Sequence, residues 1–128
     1  MCIGAIEMMV EKEALIKEIT EIVNQFFQTI FNVRPSDIRV IVEKEMIIIK
    51  LAGIFSPSER QLAMTWEGDE LINKVYKRLF ERTSPILIKM LKRVVSGGIK
   101  SLNIEINTRD MECFCFVTCF KKIEEAMN

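Results

Sequence analysis

The run Leu51-Ala52-Gly53-Ile54-Phe55-Ser56-Pro57-Ser58-Glu59-Arg60-Gln61-Leu62 leaves the backbone few paths. The apolar residues up to Leu51 read as the end of a buried strand, and Ser56, Pro57 and Glu59 read as the start of a helix. A serine at the N-cap accepts a hydrogen bond from a first-turn amide. Proline at the next position lacks only a donor that the helix would not use. A glutamate three residues after the cap can accept from the cap amide. Both polar side chains are then committed to the cap. The chain has no histidine to activate the serine, so the pair identifies an architecture and not an active site.

The flanking segments follow two periods. From about Glu7 to Phe31, Leu15, Ile19, Ile22, Val23, Phe26 and Ile30 recur at three- and four-residue steps, and Ile16 and Phe27 broaden the stripe. Such a broad stripe needs a large covering surface, part of which can belong to a second subunit. After the break at Arg34-Pro35, Ile38, Val40 and Val42 alternate with Arg39, Ile41 and Glu43. Glu43-Lys44-Glu45 turns into Met46 to Leu51, which is apolar on both faces and therefore central or covered twice. The capped helix from Pro57 comes next. Gly68 is read as punctuation before another helix, with Asp69 and Glu70 as first-turn acids. Pro85 either kinks that helix or divides it in two, with Ser84 able to cap a second one. The apolar pattern continues through Val94 and Val95 to a stop at Gly97-Gly98. Leu102, Ile104 and Ile106 alternate with Ser101, Asn103 and Glu105. A turn then leads into the doubly apolar run from Glu112 to Phe120, and a polar tail follows from Lys121. Helix, hairpin, helices, hairpin is the order of an α+β two-layer fold with a mainly antiparallel sheet packed on helices. With 128 residues, a single domain over residues 1–128 is expected.

Composition narrows the chemistry. Eighteen Lys and Arg balance eighteen Asp and Glu, so no global field draws the chain to nucleic acid or an anionic membrane. No apolar run approaches the roughly 20 residues of a membrane span, and no signal peptide is visible, so a cytoplasmic location without membrane insertion is expected. Of the four cysteines, Cys113, Cys115 and Cys119 share parity on one strand. Neighbours two apart point in parallel, which does not make a disulfide. A four-thiolate metal site would need distant Cys2, so buried, reduced core cysteines are expected. Without histidine, Ser-His and Cys-His nucleophile pairs and histidine-ligated metals are absent.

Two further patterns invite chemistry. Ser96-Gly97-Gly98-Ile99-Lys100-Ser101 lacks P-loop spacing and precedes a strand where a phosphate loop would precede a helix. The acids Glu43, Glu45, Glu67, Asp69 and Glu70 read as solvated turn and helix-start residues. Charge is unevenly distributed, however. The first helix is acidic, and the stretch from Gly68 to Ser96 is basic. Solvated faces, a protein partner or a complementary subunit fit this asymmetry. No aromatic-rich RNA-binding strand is recognised, so nucleic acid is not expected.

The segments also carry a resemblance. Leu51, Gly53, Pro57 and Glu59, with apolar Ile54 and Phe55 and Ser56 in place of threonine, are similar to the Leu-x-Gly-x-Leu-Thr-Pro-x-Glu pattern of the MpsC-like family. Gly68, Tyr76-Lys77-Arg78 and the glycine stop before the last hairpin also fit, and the likeness runs from about Glu18 to Phe120. Asn32-Val33-Arg34-Pro35 departs from the family's frequent Gly-Arg-Gly-Pro, and the Cys113-Phe114-Cys115 strand is idiosyncratic. The resemblance implies a small cytosolic protein associated with a sodium-translocating, membrane-potential-generating system whose membrane subunits are separate chains. It supplies no catalytic residues.

A non-enzymatic, homodimeric accessory or interaction domain is therefore the leading expectation, without cofactor, catalytic residues or metal. Membrane transport subunits of a sodium or bicarbonate system are its expected partners. The alternative is a regulatory domain that binds a small ligand or nucleotide, with Arg34, Lys77 and Arg78 facing its anion.

Overall fold

In the computed structural model, which describes residues 2–123 and the side chains of all of these except 2–5 and 8, the elements run in a regular order. They are α1 (Cys2–Phe31), β1 (Asp37–Glu43), β2 (Met46–Ala52), α2 (Pro57–Leu62), α3 (Trp66–Leu91), β3 (Ile99–Asn107) and β4 (Glu112–Cys119). The strands form one antiparallel sheet in the order β1-β2-β4-β3, so the two doubly apolar segments are its central strands. Fold class is thus α+β, as the sequence pattern implies.

Strand parity decides which side meets the helices. Ile47, Ile49 and Leu51 on β2, with Cys113, Cys115, Val117 and Cys119 on β4, are buried beneath Leu15, Ile19, Val23, Phe26 and Phe27 of α1 and Ile72, Tyr76, Phe80, Leu87 and Leu91 of α3. The opposite side of β2 carries Met46, Ile48 and Lys50, all half-buried. β2 is central, and among the described residues the helices cover one of its two apolar faces.

The hairpin turns are short. Lys44 takes a left-handed φ of +54° between Glu43 and Met46, which pair across the turn. In the β3–β4 turn, Asn107 Oδ1 accepts from the Arg109 amide at 3.1 Å, and Asn107 Nδ2 donates to Asp110 Oδ2 at 3.2 Å. After α1, Asn32 adopts φ +54°, and the Val33 amide donates to the Phe27 carbonyl at 3.2 Å. Asparagine tolerates this region better than other non-glycine residues. The departure from a glycine-rich break therefore preserves the reversal.

Three boundaries differ from the sequence reading. α1 begins at Cys2, ahead of the periodic stripe, although Leu15 is the first buried residue among those of its side chains that are described. α3 begins at Trp66 with Thr65 as N-cap, so Gly68 lies within the first turn and is not punctuation. The Gly68 amide donates to Thr65 Oγ1 at 3.0 Å, and a Cβ at this position would overlap the Leu62 carbonyl oxygen. Close approach of the α2 end, and not a break, is why glycine stands there. Pro85 lies inside one continuous α3, and Ser84 caps no second helix. α3 ends at Leu91, before Val94 and Val95, because the Arg93 and Val94 amides turn to the carbonyls three residues back. Val95 stays buried, so the apolar pattern outlasts the helix. Residues 124–128 of the expected polar tail lie outside the described residues, and Ile123 just before them is buried.

Candidate functional site

At the junction where β2 enters α2, the Ser56 and Glu59 side chains close the expected capping box. The Glu59 amide donates to Ser56 Oγ at 3.1 Å, and the Ser56 amide donates to Glu59 Oε1 at 2.8 Å. The second carboxylate oxygen has a task that local sequence does not reveal: it accepts the Tyr76 hydroxyl at 2.6 Å. Tyr76 also meets Phe55 edge-on, with ring centroids 5.0 Å apart. Burial first, and the Glu59 hydrogen bond second, hold the Tyr76 phenol well above its ordinary range. Gly53, at φ +76°, approaches Ser36 too closely for any Cβ, which leads the chain into this junction beside β1. The junction is therefore a brace that joins strand, cap and long helix.

The cysteines are equally committed to structure. Cys113, Cys115 and Cys119 are free and buried on the core side of β4. Burial pushes the Cys115 thiol up to about 12 and raises Cys113 and Cys119 as well. These groups are thiols at neutral pH, and the nucleophilic thiolate is suppressed. Among the described residues no group of three or more metal-ligating side chains is arranged to hold an ion. The Cys2 side chain lies outside the described set.

Two surface features remain. The first is a groove of about 750 Å³ between α3 and the edge strand β3, where Asn73, Lys74, Lys77, Glu81 and Ser84 face Leu102 to Ile106. The second is the side of the sheet away from the helices. The register aligns Ile41, Ile48, Phe116 and Asn103 in one row across it, with Arg39, Lys50, Phe114 and Glu105 in the next. Phe114 and Phe116 stack at 6.2 Å with planes 12° apart, and Ile41 is 56% exposed. Arg39 pairs with Asp37 at 3.3 Å and Lys50 with Glu112 at 2.9 Å, so charges at one end of this face are matched within it. Among the described residues, no helix packs over this stacked pair.

The three cations singled out from sequence do not form a cluster. Lys77 opens into the α3–β3 groove, while Arg34 and Arg78 are exposed and do not line it. Arg34 lies on the link into β1, at the opposite edge of the sheet from β3.

A model of the protein family described as the Na+-translocating membrane potential-generating system (MpsC) matches residues 11–120. The chain belongs to the MpsC family. No curated protein and no solved structure matches it. The family match takes in the brace, the groove and the open sheet face together, and begins within α1. Among the described residues no helix is long and apolar enough to cross a membrane.

Proposed function

We propose that this MpsC-family chain is a non-enzymatic accessory domain that works on the cytoplasmic side by docking to the membrane subunits of its system and by self-associating as a homodimer. The open sheet face carries this reading. Ile41, Met46, Ile48, Phe114 and Phe116 form an apolar centre, with the two ion pairs at its margin. Contiguous apolar patches of this kind mark interaction sites, and an apolar centre with a polar margin is the anatomy of a protein interface. The suppressed cysteine thiols and the committed Ser56–Glu59 pair support a binding role over a chemical one.

The test uses membrane vesicles that carry the sodium-translocating subunits and matched vesicles that lack them. The domain is expected to sediment with the first and not the second. A Phe116→Asp variant that remains folded by circular dichroism is expected to lose binding at least tenfold. Equal binding to both vesicle types, or to neither, contradicts the reading.

The α3–β3 groove favours one second reading, a regulatory site for a small anionic ligand. Of the three cations, Lys77 is the one placed to serve it. Thermal shift with nucleotides and bicarbonate should then show stabilisation that Lys77→Ala removes and that Arg34→Ala and Arg78→Ala retain. No shift with any of these anions counts against that site.

A further inference from the structure

The residues of α3 divide among three flanks. Ile72, Tyr76, Phe80, Leu87 and Leu91 face the core, and Asn73, Lys77, Glu81 and Ser84 face the β3 groove. Leu71, Val75, Leu79 and Ile86 fall on a third flank at helical steps, and each is between 38 and 51% exposed. A four-residue apolar stripe along a helix is a surface made to be covered. The first turns of α1 carry a second such stripe. Ile6, Met9 and Val10 follow the same steps and are 57, 62 and 60% exposed, because α1 buries nothing described before Leu15.

We infer that the first turns of α1 from one copy dock on the Leu71–Val75–Leu79–Ile86 flank of α3 in a second copy, and reciprocally. This rests on the self-association proposed above and assigns its surface. Length agrees: α1 ahead of Leu15 and the span from Leu71 to Ile86 are each about 20 Å long at 1.5 Å per residue. Charge agrees as well. Apart from Lys74, Lys77 and Glu81, which line the groove, the charged residues from Lys74 to Arg93 are Arg78, Arg82, Lys89, Lys92 and Arg93, all basic and exposed. Ahead of Leu15, α1 carries Glu7, Glu11 and Glu13 against Lys12 alone, a net −2. The ion pairs among the described residues lie on the sheet, and none of them involves these helix charges. Continuity is the third argument. Phe27 and Phe31 of α1 already contact Phe80 of α3 within one copy, with centroids 6.4 and 5.5 Å apart, so the two helices share a layer. Each copy carries one acidic arm and one basic flank, and a two-fold exchange closes both contacts without leaving either free.

Charge-swapped full-length chains test this by sedimentation velocity. Variant one is Glu7→Lys with Glu13→Lys; variant two is Arg78→Glu with Arg82→Glu. All four side chains are exposed, so the fold should be kept, with circular dichroism as the check. Wild type is expected to be dimeric and each variant alone monomeric, with at least a tenfold rise in dissociation constant. An equimolar mixture is expected to regain the dimer, because both contacts of the mixed pair are again between opposite charges. Val75→Glu should dissociate the wild-type dimer. If wild type is dimeric but both charge variants and Val75→Glu remain so, the surface assigned here is wrong while self-association stands. If wild type is monomeric throughout, both are wrong. A monomer whose α3 flank instead binds phosphatidylglycerol vesicles, with binding lost in Val75→Glu, also overturns the assignment.

Discussion

Glu59 does two things with one carboxylate: it completes the α2 cap and accepts the Tyr76 hydroxyl of α3. Glu59→Ala should therefore cost more than loss of a cap alone, about 2–3 kcal/mol in chemical denaturation, against about 1 kcal/mol for Ser56→Ala. Equal costs would mean that the tyrosine contact contributes nothing. The cap was legible because its partners are three residues apart. The tyrosine contact was not, because its partners are 17 residues apart with no local pattern between them. The buried thiols make a different prediction. Their folded values are raised above the ordinary 9.0, as Tyr76 is above 10.0, so the folded state holds protons that the unfolded state releases. The stability they contribute is complete below about pH 8 and is lost as pH rises through the unfolded values and beyond. Denaturation midpoints should be level near pH 7–8 and fall above about pH 9, less steeply in Cys115→Ala. A midpoint that rises with pH in this range would contradict the burial account. In a Cys2→Ser background, native protein should also show no fast thiol reaction.

For whole elements, α3 holds the clearest conflict between local preference and packing. Pro85 lacks an amide donor inside a continuous helix, and it is exposed. Sequence alone left a kink or a break open, because only the core contacts of Phe80, Leu87 and Leu91 decide that the helix runs on. Pro85→Ala should raise stability by about 1–2 kcal/mol, since the recovered helix propensity outweighs the added unfolded-state freedom. A lower thermal midpoint would show that proline is required there. Gly68→Ala should do the reverse and destabilise by about 2 kcal/mol or more, because its Cβ meets backbone that cannot move aside. The sheet was the most legible part. Alternation in β1 and β3 and apolar doubling in β2 and β4 marked all four strands, and the doubling left central placement or double cover open until the strand order showed β2 and β4 to be central. The limits of α1 and α3 were less so, since a helix can outrun its buried stripe, as α1 does, and a buried residue such as Val95 can follow a helix end.

The whole molecule is neutral, yet its helical layer is divided into an acidic arm and a basic flank, and its sheet leaves an apolar face open. The order of charges along the sequence showed that division. It could not show where the exposed apolar side chains gather, because Ile6, Leu71 and Phe116 look like core residues in a sequence. The cations Arg34, Lys77 and Arg78 were grouped by type, and folding sends Lys77 to the groove and Arg34 to the opposite edge of the sheet. What the three-dimensional arrangement adds is unmatched surface, and unmatched surface is the basis for reading this MpsC-family chain as an association domain. The most direct measurement is sedimentation equilibrium of the wild-type chain across micromolar concentrations. A mass twice that of the 14.9 kDa chain, with dissociation on dilution, is expected of an association domain. A monomer at every concentration would contradict that reading.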